Sequence, residues 1–284
     1  MKLYKGFDKD LKCRDFQFEV GKTYEEKTAS LCNSGFHACE IPIDCLGYYA
    51  PGTSVYHEVE LESVTDEKRD DSKRVGTKIT IGGKLKVLDI INATFEYVKE
   101  NCTNNEVGGD RSALNGGYSS ALNGGGSSAL NGGDSSALNG GNWSALNGGY
   151  SSALNGGDRS ALNGGYSSAL NGGNRSALNG GNSSALNGGY SSALNGGNWS
   201  ALNGGNSSAL NGGYRSALNS GYRSVIRGGE NSIVKGGLYS VLAIEYWKDN
   251  EFVKISFAEV DGEKIKADTW YTLNKSGKFV EVVE

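Results

Sequence analysis

From residue 108 to 243 the chain places one leucine every eight residues. It stands at Leu114, Leu122, Leu130, Leu138, Leu146, Leu154, Leu162 and Leu170, and continues to Leu218. Between these positions the chain is almost wholly polar or glycine. The unit is Gly-Gly-X-x-Ser-Ala-Leu-Asn, as in Gly116-Gly117-Tyr118-Ser119-Ser120-Ala121-Leu122-Asn123, and it is written seventeen times. Near-identity holds through Asn219, after which Val225-Ile226, Ile233-Val234 and Val241-Leu242 replace Ala-Leu. A fixed short period is the signature of a repeat architecture. A helix is excluded, because two glycines per unit would cost roughly 2 kcal/mol relative to alanine and eight residues match no helical period. Collagen needs glycine at every third position. A flexible Gly/Ser linker has no reason to keep a large apolar residue in register.

The remaining reading is a β-solenoid. x-Ser-Ala-Leu-Asn forms a short strand, and Asn-Gly-Gly forms a turn in which glycine supplies positive φ. Side chains alternate along a strand, so Ser120 and Leu122 face inward while Ser119, Ala121 and Asn123 face outward. The leucines form an inward ladder. Two octapeptides make a coil of about sixteen residues, giving two sheets back to back. About eight coils are expected, in a rod about 40 Å long at the usual strand spacing. Stacked serines and asparagines add hydrogen-bonded ladders. The ends require caps, because an open edge strand recruits another chain.

The X position holds Tyr118, Tyr150, Tyr166, Tyr190, Tyr214 and Tyr222 among Asn and Asp; the x position holds Ser, Arg111, Arg159, Arg175, Trp143 and Trp199. The tyrosines do not keep a sixteen-residue spacing, so they fall on both edges of the rod. Exposed Trp, Tyr and Arg are common binding anchors. Tyr118, Asn123, Trp143, Tyr150, Arg159, Tyr166, Arg175 and Trp199 are therefore the candidate surface contacts, with tolerated surface variation as the alternative reading. The repeat resembles that of bacterial ice-nucleation proteins, Gly-Tyr-Gly-Ser-Thr-x-Thr-Ala. The resemblance implies the solenoid fold and an outward water-organising face. Ala121 and Asn123 stand where that family has its threonines.

Period-2 runs at 3–7, 16–20, 55–61 and 75–81 predict strands, and Pro42 opens a short helix at 42–49. Residues 66–74 read as a charged loop. Residues 1–83 are thus a small α+β domain. Within 84–107, Leu85, Leu88, Phe95, Val98 and Cys102 share one helical face, and this amphipathic helix is expected to cap the first coil, with a place in the core of the N-terminal domain as a compatible reading. Strand runs at 239–247, 252–260, 270–273 and 279–283 predict a β-meander, and residues 244–284 are expected to cap the other end. Exposed Trp247 or Trp270 would instead serve an oligomer interface. The fold class is mainly β.

Net charge is −4, which argues against a general nucleic-acid binder. Neither an apolar leader nor a spanning apolar run is present in these 284 residues, and five cysteines are an odd number, so a reducing cytoplasm is expected and no membrane contact. Cys13, Cys32, His37, Cys39 and Cys45 lack a Cys-x-x-Cys pair, so packed reduced thiols are expected rather than a metal. No cofactor is expected.

Tyr4-Lys5-Gly6-Phe7, Ser34-Gly35-Phe36-His37-Ala38-Cys39, the 42–49 segment and Val55-Tyr56-His57-Glu58-Val59-Glu60 resemble an uncharacterised family of bacterial and prophage genomes. Its members join such a domain to a short-repeat array and a β-rich tail, and the resemblance implies no activity. The same segments are faintly similar to ADP-ribosyltransferase-like domains, with Glu58 the nominal match to a late catalytic Glu and no His or Arg within Tyr4-Lys5-Gly6. Three functions follow: a non-enzymatic structural or binding solenoid with a protein partner or self-association through the tail; ice or ordered-water binding; and an N-terminal enzyme with the array as spacer.

Overall fold

The computed structural model describes residues 1–67, 72–249 and 251–282. The chain is mainly β, a solenoid of about nine turns, sixteen residues apart, following a small N-terminal domain.

In the N-terminal domain, β1 (Lys2–Asp8), the short hairpin β2 (Lys12–Cys13) and β3 (Phe16–Gln17), β4 (Thr23–Glu25) and β5 (Phe36–Cys39) precede a 3₁₀ helix at Pro42–Gly47. Two long strands follow, β6 (Ser54–Val64) and β7 (Lys73–Leu85). β1, β6, β7 and β5 pair in a closed antiparallel ring, and β4 extends β7. Leu3, Phe7, Phe18, Phe36, Val59, Leu61, Ile79 and Ile81 fill it. Of the expected loop at 66–74, residues 68–71 lie outside the described residues. Its end belongs to β7, where Arg74 is buried with its Nε 2.7 Å from Glu40 Oε1.

In the array, Ala-Leu-Asn of each octapeptide is a three-residue strand, and strands sixteen residues apart pair in parallel and in exact register, Leu122 on Leu138 and Leu130 on Leu146. Two sheets result, and all leucines from Leu122 to Leu218 lie between them at 0–2 % exposure. Each buried leucine contributes roughly 1.5–3 kcal/mol. The inward serines are satisfied in full: Ser176 Oγ accepts the Ser160 N–H (3.3 Å) and donates to Gly157 O (3.2 Å). Outward asparagines form amide ladders, Asn131 Nδ2 to Asn115 Oδ1 at 3.0 Å on one sheet and Asn171 Nδ2 to Asn155 Oδ1 at 2.9 Å on the other.

The turn differs from expectation. The glycines with positive φ are Gly21, Gly35, Gly262 and Gly277, none of them in the array. The left-handed residue of each array turn is x, from Arg111 (φ 58°) to Tyr239 (φ 60°). This costs roughly 1–2 kcal/mol at each non-glycine residue, against which the x N–H from Arg111 to Arg223 donates to the X carbonyl one coil on, as Trp143 does to Asp158 O at 2.9 Å. The glycines are needed for space. A Cβ on Gly180 would stand 2.8 Å from both Ser184 Cβ and Leu186 Cδ1, and one on Gly181 2.9 Å from the Tyr166 backbone nitrogen in the next coil.

The coil count is nine rather than eight because Asn104–Val107 (β8), which carries no leucine, lies in register below Ser120–Asn123 as one more rung. β8 and the strand Ala113–Asn115 end their two sheets. β8 is exposed throughout and Leu114, with no leucine layer beneath it, is only partly buried.

The helix does not cap this end. α1 spans Val87–Glu100, Lys84 and Leu85 having finished β7, and it lies along the flank of one sheet against the strands at Ala137, Ala153, Ala169 and Ala185. Its buried face is Ile90, Ile91, Thr94 and Val98, while Leu88 is exposed. A row of outward alanines offers a methyl-smooth surface along many coils, whereas a coil end is too narrow for fourteen residues of helix. The N-terminal domain follows α1 onto the same sheet. Ile43, Leu46 and Ile90 share a core with Ala169, Ala185 and Ala201, and a Cβ at Gly52 would meet Ile233 Cγ1 at 3.3 Å. One sheet is therefore covered and the other bare: Ala153 is fully buried while Ala145 is exposed.

The tail forms two hairpins, each extending one sheet. Val241–Lys248 and Glu251–Glu259 continue the bare sheet, and Tyr271–Leu273 and Phe279–Glu281 continue the covered one. Asn250 of the first turn and Val283 of the last run lie outside the described residues. Ile244, Val260 and Tyr271 close over Val234 and Leu242 at the end of the leucine core.

Two outcomes are expected. Ala169→Lys, on the covered sheet, lowers urea-unfolding stability by about 1–3 kcal/mol through overpacking, while Ala177→Lys on the bare sheet stays within about 0.5 kcal/mol; equal effects would contradict the asymmetric docking. Deleting residues 148–163 removes one whole coil and keeps cooperative unfolding by circular dichroism. It also lowers the melting temperature, because α1 and Gly52 grip coils whose separation has shrunk by about 4.8 Å. An unfolded product would refute the coil assignment.

Candidate functional site

β1 is hydrogen-bonded to β6 along its whole length but meets β5 at a single pair, Tyr4 with Cys39. β5 is held instead by β7 over all four of its residues. Beyond Tyr4 the two strands splay. The gap opens a cavity of about 700 Å³, walled by β1, β5, the β2–β3 hairpin and the 3₁₀ helix, within the range of small-molecule pockets.

Lys5 lies in this wall, 7 % exposed; its Nζ donates to His37 O across the gap at 2.8 Å and stands 5.4 Å from the Phe7 ring centroid. Tyr49 packs on the backbone of Gly6, where a Cβ would come within 2.6 Å of its ring, and its hydroxyl donates to Cys13 Sγ at 3.0 Å. Burial, then the Cys13 contact, hold the Tyr49 phenol well above its usual range. His37 Nε2 accepts the Cys32 N–H at 2.8 Å, which places the ring proton of the neutral form on Nδ1. Burial pushes the His37 pKa down, and the charges of Lys5, Lys73 and Arg14 push it further. The Cys39 thiol is raised by its contact with Cys45 and by full burial, so it stays protonated and unreactive.

The five residues weighed for a metal, Cys13, Cys32, His37, Cys39 and Cys45, all line this one cavity. Among the described residues no three His, Cys, Asp or Glu side chains converge as a ligand group. All five cysteines of the chain are free thiols. Glu58 lies outside the cavity, paired with Lys2 Nζ at 2.8 Å.

The array's candidate contacts separate onto two edges. Trp143, Arg159 and Arg175 share one edge, with the Arg159 guanidinium 4.4 Å from the Trp143 ring centroid, and with Asn142, Asp158, Asn174 and Tyr190 they line a groove of about 470 Å³. Tyr118, Tyr150, Tyr166 and Trp199 fall on the other edge, where Tyr150 and Tyr166 stack at 5.2 Å. There the N-terminal domain approaches: a Cβ on Gly47 would lie 3.6 Å from Tyr166 Oη, and Ser151, Ser167 and Ser183 are buried. Asn123, in the amide row of the covered sheet, is half-buried. Ser120 and the leucines Leu122, Leu130, Leu138, Leu146, Leu154, Leu162 and Leu170 are interior. The X residues have a structural duty of their own: Asn142 Oδ1 accepts the Asp158 N–H, and Asp158 Oδ1 the Asn174 N–H, at 2.8 and 2.7 Å.

Residues 1–93 match a family described as a domain of unknown function, DUF7666. No curated protein and no solved structure matches the chain. Among the described residues no helix is long and apolar enough to cross a membrane.

The histidines set a pH dependence. His57 is buried, its Nδ1 3.0 Å from Gly82 O, and desolvation lowers its pKa as it does that of His37. Both hold fewer protons folded than unfolded, so stability is full above the unfolded value of 6.5 and falls as pH drops below it. Urea midpoints at pH 7.5 and 5.5 should show this loss, and His37→Gln should reduce it. A midpoint independent of pH across this interval would contradict the burial of neutral imidazoles.

Proposed function

We propose that the chain is a non-enzymatic binding scaffold, in which the solenoid carries the N-terminal domain on one flank and offers its opposite face to a partner whose own surface repeats. The observation that carries this reading is the contrast between the sheets. On the bare sheet Ala129, Ala145, Ala161, Ala177 and Ala193 and the neighbouring asparagines stand exposed in straight rows, one per coil. Such a face suits many weak, identical contacts to an extended polymer, which add by effective concentration. The edge with Trp143 and Arg159 borders the same sheet and supplies ring and guanidinium anchors. Ordered water is the second reading, favoured by the flat alternation of methyl and amide rows on this face.

The test compares the intact chain with an Ala145→Lys, Ala161→Lys, Ala177→Lys triple variant. Retention is measured on insoluble cellulose, chitin and peptidoglycan, together with inhibition of ice recrystallisation. The intact chain is expected to be retained on one polymer and the variant released. Retention on none, or equal retention of both, ends the polymer reading, and unchanged ice growth ends the other.

Self-association is assigned to the open end rather than to the tail. The outer edges of β8 and Ala113–Asn115 have no strand partner among the described residues and leave Leu114 partly uncovered, whereas at the other end, where Glu251–Glu259 and Phe279–Glu281 are the outermost strands, the tail covers the leucine core. A second copy meeting this edge would pair the orphaned backbone and cover Leu114. Light scattering should show a concentration-dependent dimer that Leu114→Glu abolishes; a monomer at every concentration would refute it.

A further inference from the structure

Lys5 poses a physical problem that the scaffold does not solve. The residue is more than nine-tenths buried, on a strand whose other inward residues are Leu3 and Phe7. An ammonium has three protons to donate, and Lys5 donates to one acceptor, the His37 carbonyl. Among the described residues no carboxylate stands within ion-pair distance of it. A buried charge without a counter-charge is costly, and methionine of similar length would fill the same space at no such cost. Lys5 also lines the cavity in the gap where β1 and β5 part.

The cavity's other charges point the same way. Arg14 and Lys73 line it beside Lys5, against Asp15 and Glu26, and the Glu26 carboxylate already accepts the Gly35 N–H at 3.0 Å. Burial first, and then the charges of Lys5, Lys73 and Arg14, lower the His37 pKa. The rest of the wall is largely aromatic, with Phe16, Phe18 and Tyr49 facing the space. Phe16 is half exposed at the mouth, edge-on to Phe18 at 4.7 Å.

We propose that the cleft between β1 and β5 binds a small organic anion, a carboxylate or phosphate carried on a flat ring, with the anionic group on Lys5 Nζ and the ring against the aromatic wall. The site belongs to the N-terminal domain alone, so it stands or falls independently of what the solenoid face binds. A buried, pre-formed cation takes an anion without first losing a protein partner, and the cleft reaches solvent past Arg14 and Phe16. Charge-assisted hydrogen bonds from such a cation are the strong ones, and the apolar wall makes the ring part of the affinity.

The experiment titrates the full chain with benzoate, phenyl phosphate and the neutral benzyl alcohol, following backbone amide shifts of Gly6, Cys32, Gly35 and His37 by NMR. Saturable shifts with one or both anions, and none with benzyl alcohol at the same concentration, are expected. The better of the two anions identifies the head group. Lys5→Met should weaken binding about tenfold or more, the worth of one charge-assisted hydrogen bond, with Arg14→Gln weakening it less. If Lys5→Met does not fold, Lys5→Arg and the Arg14→Gln series decide: binding kept by the first and weakened by the second supports the site. Shifts with benzyl alcohol equal to those with benzoate, no saturable shifts with any of the three, or full affinity in a folded Lys5→Met chain would each overturn it.

Discussion

The structure depends on how closely the two sheets of the solenoid approach. Each coil is so thin that its interior holds one serine and one leucine per side, and the turn must bend back directly over them. In most units a side chain on the first glycine would crowd the following serine and leucine, as at Gly180, and one on the second would strike the neighbouring coil, as at Gly181; the one serine at a first position, Ser220, fits by bonding, its Oγ 2.8 Å from Ser224 Oγ and 2.9 Å from Gly205 O. The paired glycines are therefore a packing requirement before they are a conformational one. The left-handed residue the turn needs falls on x, where Ser, Arg, Trp, Asn and Tyr all carry it with the side chain leaving the interior. Once every coil has the same thin section, the leucines stack, the serine hydroxyls bridge adjacent coils, and the asparagine amides line up outside.

That uniformity also makes the docking possible. Sixteen-residue register puts alanine above alanine over most of the rod, and a row of methyls admits Ile90, Ile91 and Val98 of α1 at close range. The same row on the opposite sheet meets nothing among the described residues. Two faces with the same repeat unit thus acquire different roles through the domain that covers one of them. The cleft at Lys5 shares Tyr4, Cys39, Cys45 and Tyr49 with the core that seats the domain on the rod, so docking and cavity wall rest on the same residues.

Most of the array could be read from the chain, because a residue held in place in fourteen consecutive units reports its own environment. Leucine inward, alanine and asparagine outward, and sixteen residues per coil follow from period and alternation alone. β8 escaped because Asn104–Val107 holds its place by backbone pairing and carries none of the repeat's side chains. The seat of α1 escaped because a helical stripe records that something is buried, not what buries it. One signal for the covered face does exist in the sequence. At x on alternate units, Ser119, Ser135, Ser151, Ser167 and Ser183 are all small before Trp199 and Arg215 follow, while over the same coils the other edge carries Arg111, Trp143, Arg159 and Arg175 beside Ser127. The small series lies where the N-terminal domain approaches, and the large series stays in solvent. The cavity left no comparable trace. Cys13, Cys32, His37, Cys39 and Cys45 are gathered by a ring of strands whose closure depends on long-range pairing, and no spacing between them announces it.

The drift of the last copies then acquires a physical meaning. An octapeptide between two identical neighbours is constrained on both sides by the same side chains, so leucine on leucine is the solution throughout. From Val225 onward the neighbour on one side is the tail. Val241–Lys248 still pairs in parallel with Val225–Gly228, but Glu251–Glu259 and Tyr271–Leu273 join antiparallel, and Ile244, Val260 and Tyr271 pack at the end of the leucine core. Ile226, Val234 and Leu242 meet that different surface, with Ile233 pressed by Gly52 from the flank. Outside, the asparagine row ends as Arg227, bonded to Glu245 at 2.8 Å. Interior residue, outward residue and ladder all change within the coils that touch something other than a copy of themselves. The repeat is exact where its surroundings repeat and departs from itself where they stop.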